Sequence, residues 1–266
     1  MDEGLRRQYL DAMGIESWVP RRSGGNPLTV NERQAAACPP DVKPLQPEAS
    51  PSPPLWLEEV PPPTEEWVPL EMPPTEPAPE ADIASLDWPA LAQRVSCCTA
   101  CELHAGRRQA VFGVGNRSAN LMVIGEAPGA EEDRQGEPFV GRAGQLLNAM
   151  LLAIGLQRAQ VYIANILKCR PPGNRDPRPE EALRCEPYLR RQIALVQPRV
   201  ILAVGRIAAQ NLLKSQEAVG KMRGRPFRFG EIPVVVSYHP AYLLRSPDQK
   251  VRAWQDLQQV AALLKD

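Results

Sequence analysis

After residue 82 the chain alternates between two hydrophobic patterns. Short, nearly continuous runs of Val, Ile and Leu ("NLMVIG", "VYIANIL", "RVILAVG", "IPVVVS") predict strands buried on both faces. Between them, "GRAGQLLNAMLLAIGL", "PEEALRCEPYLRRQIALV", "RIAAQNLL" and "SPDQKVRAWQDLQQVAALL" carry apolar residues three and four apart and predict helices. Pro179 and the acidic residues after it suit a helix start, and Ser246 is expected to cap the last helix. Strand and helix in alternation predict one three-layer α/β/α domain with a mostly parallel central sheet over residues 82–266. Ligands of such sheets bind outside the carboxyl ends of the strands. "GEAPG", "NILKCRPPGN" and "YHPAYLLR" all leave strands there, so three loops are expected to meet at one cleft.

The first third of the chain lacks this alternation. Leu5, Tyr9 and Met13, with Leu10 alongside, have helical spacing that Gly14 ends, so residues 1–25 are expected to form a short helical segment. A lone short helix cannot bury that face by itself, so it folds back on the domain or binds a partner. Residues 26–81 read as a disordered linker: from Cys38 to Ala81 about a third of the residues are proline, and the charges are almost all acidic. Trp56 and Trp67 within it are either docking motifs or incidental. The start of the chain has no apolar core of signal-peptide length and no run approaches a membrane span, so a soluble cytoplasmic protein without membrane contact is expected.

The formal net charge of zero hides a division. Residues 1–81 hold fourteen Asp and Glu against six Lys and Arg, whereas residues 82–266 hold seventeen against twenty-five. A basic domain suggests a polyanionic partner, with ordinary surface charge as the plainer reading. The six cysteines are too sparse for a disulfide scaffold. Cys98-x2-Cys101, a long gap, then Cys169-x15-Cys185 is closer to iron–sulfur spacing than to paired zinc knuckles. From spacing alone a [4Fe–4S] cluster, a zinc ion and unligated thiols all stay open. Cys97 adjoins a proposed ligand and is expected to point elsewhere, and Cys38 in the linker is expected to be free.

Several motifs in order then carry a specific likeness. "CTAC", "GEAPGAEEDRQGEPFVGRAGQLL", "YIANILKCRPPGNRDP", Cys185 and "HPAYLLR" make residues 95–264 resemble the family 4 uracil-DNA glycosylases, the bacterial and archaeal class that carries a [4Fe–4S] cluster. The resemblance implies a glycosylase-like α/β fold and a monofunctional hydrolase of base excision repair. Such an enzyme flips uracil out of DNA, cuts its N-glycosidic bond and leaves an abasic site. It makes Cys98, Cys101, Cys169 and Cys185 the cluster ligands and uracil-containing DNA the partner of a monomeric enzyme.

Roles for single residues follow from the same likeness. Phe139 becomes the plate on which the flipped base stacks, with core packing as its plainer role. Gly125 and Asn174 belong to the pocket. Asn165, whose amide both donates and accepts, suits the O4 and N3–H edge of uracil and mismatches cytosine. His239 would hydrogen-bond uracil O2 and stabilise the departing anion. Glu126 and Glu132 share the task of orienting water or offsetting charge on the sugar, without separation of the two. Leu243 or Leu244 would fill the hole left in the duplex. Arg245, Arg170, Arg175 and Arg178 would meet phosphates. His104 is assigned to the surface. Family 1 enzymes have an aspartate and a tyrosine where this chain has Ala127 and Gly129, so thymine must be excluded by other residues.

"YLDAMGIESWVPRR" is similar to the N-terminal peptide of the psi subunit of DNA polymerase III. That implies a second reading, a replisome accessory protein docked on clamp-loader subunits, with or without glycosylase activity.

Overall fold

The computed structural model describes residue 11 and residues 83–265. The helix expected within residues 1–25 and the linker of residues 26–81 lie, residue 11 apart, outside the described residues. No helix among the described residues is long and apolar enough to cross a membrane.

Six strands form one sheet: β1 (Val114–Gly115), β2 (Leu121–Gly125), β3 (Tyr162–Asn165), β4 (Val200–Val204), β5 (Phe227–Phe229) and β6 (Ile232–Ser237), in the order β1-β3-β2-β4-β6-β5. The four inner strands are parallel, as their unbroken apolar runs predict. The edge strands β1 and β5 are antiparallel and were not expected from the sequence. At two and three residues they are too short for a periodic signal. The β5–β6 hairpin turns through Gly230 at φ +57°.

Each inner strand feeds two cores, because successive side chains face opposite ways. Met122 and Ile124 join Ile201, Ala203, Val234 and Val236 on one face, under helices α1 (Trp88–Ser96), α5 (Pro179–Val196) and α6 (Arg206–Leu213). Leu121 and Val123 join Val200, Leu202 and Val235 on the other, under α4 (Arg142–Ala153), α8 (Pro240–Arg245) and α9 (Lys250–Leu263). Shorter helices α2 (Leu103–Gly106), α3 (Ala130–Gln135) and α7 (Val219–Met222) lie between these elements. Three layers result, as the alternation implies.

Helix ends follow local chemistry. Asp87 caps α1 by accepting from Ala90 N at 3.0 Å. Pro179 opens α5, and the Glu181 carboxylate accepts from Arg178 N at 2.8 Å. Ser246 departs from expectation: its side chain makes no capping bond, and a 3₁₀ turn at Pro247–Gln249 precedes α9.

One polar cluster sits inside the second layer. Asp256 on α9, 2% exposed, accepts from Ser237 Oγ at 2.7 Å and from Arg223 at 2.7 and 2.8 Å. Arg223 also lies over the Tyr238 ring, 4.8 Å from its centroid. The cluster fixes the end of β6, just before His239. Arg223→Ala would leave a buried carboxylate without its cation and should lower unfolding free energy by about 3–5 kcal/mol in urea titrations. A loss below about 1 kcal/mol would place the pair among surface-type ion pairs instead.

Candidate active site

Strand register builds the centre of the site. β2 and β3 end side by side with Gly125 opposite Asn165. A Cβ on Gly125 would lie 2.5 Å from Asn165 Oδ1 and 2.6 Å from two Phe139 ring carbons. Both side chains therefore converge over a strand end that must carry no side chain. His239, beyond β6, stacks on Phe139 with ring centroids 5.5 Å apart and planes at 29°. Gly205, at φ +99°, gives His239 room, since a Cβ there would sit 3.0 Å from the histidine Cβ. Four expected site residues, Gly125, Phe139, Asn165 and His239, are thus brought together.

Asn165 is 2% exposed, and its Oδ1 is the one buried side-chain N or O atom among the described residues without a hydrogen-bond partner. Such an atom costs about 1–3 kcal/mol in a folded interior. A ligand donor would satisfy it.

The loop carrying Phe139 is clamped from both sides. Phe139 holds φ +55°, a left-handed conformation that costs a non-glycine residue about 1–3 kcal/mol. Arg158, before β3, donates to the carbonyls of Pro138 at 2.6 Å and Phe139 at 3.2 Å. Glu132 accepts from the amides of Val140 at 3.0 Å and Gly141 at 3.1 Å with one oxygen, and from Gly129 at 3.1 Å with the other. Gly144 on α4 lies so close that a Cβ would overlap Phe139 O at 1.8 Å. Both oxygens of Glu132 are thereby engaged on backbone. Its place in the loop is that of a brace, which distinguishes it from Glu126.

Two titratable groups are pushed toward their neutral forms. Burial, with the Asp176 carboxylate adding to it and Arg206 opposing, pushes Glu126 up to about 7. Burial, with the Arg245 charge adding and Glu132 opposing, pushes His239 down to about 4. Nδ1 of His239 accepts from Ala241 N at 3.1 Å, where the imidazole caps α8. A neutral ring bonded this way carries its proton on Nε2.

The remaining expected residues fall differently. Leu243 is 1% exposed in the second core and cannot act as a wedge; Leu244, 39% exposed, is the leucine that points outward. The guanidinium of Arg175 is folded onto Glu181 at 2.6 and 2.9 Å, so it braces its own loop. Asn174, at the exposed tip of the loop, accepts from Arg170 Nε at 2.7 Å. Arg178 lies 3.6 Å from Glu102, and Arg245 is exposed. Arg158 and Arg206, which pairs with Asp176 at 2.5 Å beside Glu126, were missed by the sequence reading.

Cys98, Cys101, Cys169 and Cys185 line one small cavity together with Tyr188, Arg107 and Lys168. Arg107 donates to Cys169 Sγ at 2.9 Å, and Lys168 N donates to Cys185 Sγ at 3.3 Å. Burial pushes the thiols of Cys101 and Cys169 up, and that of Cys185 to about 12. His104, expected at the surface, is exposed but also borders this cavity. Cys97 turns outward to bond Gln93 O at 2.8 Å.

Known proteins match this chain across the same region. A model of the uracil DNA glycosylase superfamily matches residues 112–258. A type-4 uracil-DNA glycosylase of Archaeoglobus fulgidus is 42% identical over 181 residues, spanning 65% of this chain and 91% of the relative. One of Thermotoga maritima is 41% identical over 179 residues, spanning 66% and 93%. A type-5 uracil-DNA glycosylase of Pyrobaculum aerophilum is 34% identical over 150 residues, spanning 48% and 64%. With a mostly parallel sheet whose strand ends gather Gly125, Phe139, Asn165 and His239, the chain belongs to the uracil-DNA glycosylase superfamily and, within it, to the type-4 family.

Proposed function

We propose that this protein excises uracil from DNA by hydrolysing the N-glycosidic bond of a flipped nucleotide, leaving an abasic site. The observation that carries the reading is the orphaned Oδ1 of Asn165 beside Phe139, above a strand end without a side chain. Uracil offers the missing donor in its N3–H, and the amide nitrogen of Asn165 can donate to O4. Cytosine presents an acceptor at N3 and a donor at N4, so both bonds become mismatches.

The chemistry needs a leaving group and a water. As the C1′–N1 bond breaks, its electron pair passes to uracil N1 and O2, and Nε2–H of His239 donates to O2. Water adds to C1′, and Glu126 takes its proton or fixes its orientation. Uracil leaves, and the sugar gains a hydroxyl. Glu132 and Arg158 hold the Phe139 plate, Leu244 enters the gap in the duplex, and Arg170 and Arg245 meet phosphates.

A [4Fe–4S] cluster fits the cysteine cavity. Its lining brings four cysteines to one place, the donor set such a cluster takes, and Arg107 already donates to one of the sulfurs. Cys98, Cys101, Cys169 and Cys185 would hold it, each as thiolate, and it would supply a cross-link between three stretches of chain. The replisome-accessory alternative draws no support from the comparisons, and the segment that suggested it lies, residue 11 apart, outside the described residues.

The direct test is incubation with a uracil-containing oligonucleotide followed by alkaline cleavage. Strand scission at uracil and none at thymine is expected, and an intact strand would refute the reading. His239→Ala should lower the single-turnover rate of uracil release by about 10²–10³ with unchanged DNA affinity. Because Glu126 is raised to about 7, its active carboxylate form becomes the major one only above that value. The rate should therefore climb through neutral pH, and Glu126→Gln should flatten that rise. The same variant should stabilise the fold at pH 8 and not at pH 4, since the raised carboxyl costs stability only as it ionises. Anaerobically purified protein should hold about four irons per chain, and Cys185→Ser should bleach it. One zinc and no iron would contradict the cluster.

A further inference from the structure

The strand-end loops carry one ion pair to which the reaction above gives no task. Arg206 Nη2 donates to Asp176 Oδ2 at 2.5 Å, and the two side chains are 51% and 65% exposed. Sheet order decides where the pair lies. β3 and β4 flank β2; Asp176 belongs to the loop after β3, and Arg206 opens α6 after β4 and Gly205. The pair therefore bridges the loops on either side of the one that Glu126 begins. Both charges reach Glu126, Asp176 raising it and Arg206 opposing.

Arg206 also follows the strand that lies between those leading to Glu126 and His239, in the order β2-β4-β6. Gly205 N donates to Ser237 O at 2.9 Å, which ties the end of β4 to the end of β6. Gly205 lies flush against the imidazole, since a Cβ on it would meet His239 Cβ at 3.0 Å and Cδ2 at 3.3 Å.

Neither loop relies on the pair alone. The loop that holds Asp176 has its own braces: Arg175 on Glu181 at 2.6 and 2.9 Å, Arg178 N on Glu181 at 2.8 Å, and Arg170 on Asn174 at 2.7 Å. Ion pairs this exposed add little stability and are screened by salt, so they exchange partners readily. A phosphodiester offers the same guanidinium two oxygens and a full negative charge, the geometry that arginine binds best. Carboxylate and phosphate compete for one fork.

We propose that Arg206 binds a phosphate flanking the flipped uracil nucleotide, and that Asp176 occupies the guanidinium in its place while DNA is absent. The proposal rests on the uracil-excision reading and adds to it a contact with a built-in competitor. C1′ of the flipped sugar has to reach Glu126 and His239, so its flanking phosphates are the ones that come to this rim. DNA binding then exchanges one anion for another at Arg206, and Asp176 weakens binding by competing.

The test uses the full-length protein and duplexes that carry tetrahydrofuran, an uncleavable abasic analogue. An uncharged methylphosphonate replaces the phosphate 5′ or 3′ to it. Dissociation constants are measured at several salt concentrations for wild type, Arg206→Gln and Asp176→Asn. Wild type should lose about tenfold in affinity at one of the two flanking positions. Arg206→Gln should start about tenfold weaker, lose nothing further at that position, and show a salt dependence shallower by about one phosphate contact. Asp176→Asn should bind the unmodified duplex about threefold more tightly, and that gain should vanish when the methylphosphonate stands at the same position. A pair that only braces the loops would weaken both variants alike. Arg206→Gln as sensitive to the methylphosphonate as wild type would overturn the proposal, as would Asp176→Asn binding no more tightly than wild type. Wild-type protein that leaves uracil in DNA intact would instead remove the reading on which the proposal rests.

Discussion

The site depends on a missing methyl group. Gly125 ends β2 opposite Asn165, and any Cβ there would overlap the Asn165 amide and the Phe139 ring. That single steric constraint lets an amide and an aromatic face meet at the carboxyl edge of a parallel sheet, where the fold collects its loops. The strained backbone of Phe139 is held by its neighbours: Gly144 sits close behind it, Arg158 takes two carbonyls and Glu132 takes the amides that follow. Rigid placement of this kind suits a reaction that gains most from preorganised groups.

Electrostatics at the strand ends favour neutral groups before the base arrives. Burial raises Glu126 and lowers His239, which separates a carboxyl able to accept a proton near neutrality from an imidazole that donates without being charged. The backbone bond to Nδ1 fixes which nitrogen donates. Charge stands instead at the cysteine cavity, where the Arg107 guanidinium donates to Cys169 Sγ.

The architecture was largely legible, because unbroken Val, Ile and Leu runs between amphipathic segments admit few arrangements other than a covered parallel sheet. β1 and β5 escaped notice because two or three residues cannot show a period. The meeting of Gly125, Phe139, Asn165 and His239 was legible from strand-end positions combined with the family likeness. Their supports were not, since Arg158 acts on a loop about twenty residues away and Gln192, on α5, meets Lys168 in the loop after β3. Sequence shows that Arg175 is cationic but not that Glu181 already holds it. Adjacent leucines at 243 and 244 read alike until the turn of α8 sends one inward and one outward.

The central claim is that the side-chain amide oxygen of Asn165, Oδ1, waits for the N3–H of uracil. Product inhibition with three free bases tests it most directly, using uracil, 1-methyluracil and 3-methyluracil against excision of a uracil-containing oligonucleotide. Uracil and 1-methyluracil keep the N3–H, and both should inhibit. 3-Methyluracil lacks that donor, leaves Oδ1 unsatisfied and should inhibit at least about tenfold more weakly. Equal inhibition by uracil and 3-methyluracil would contradict the account.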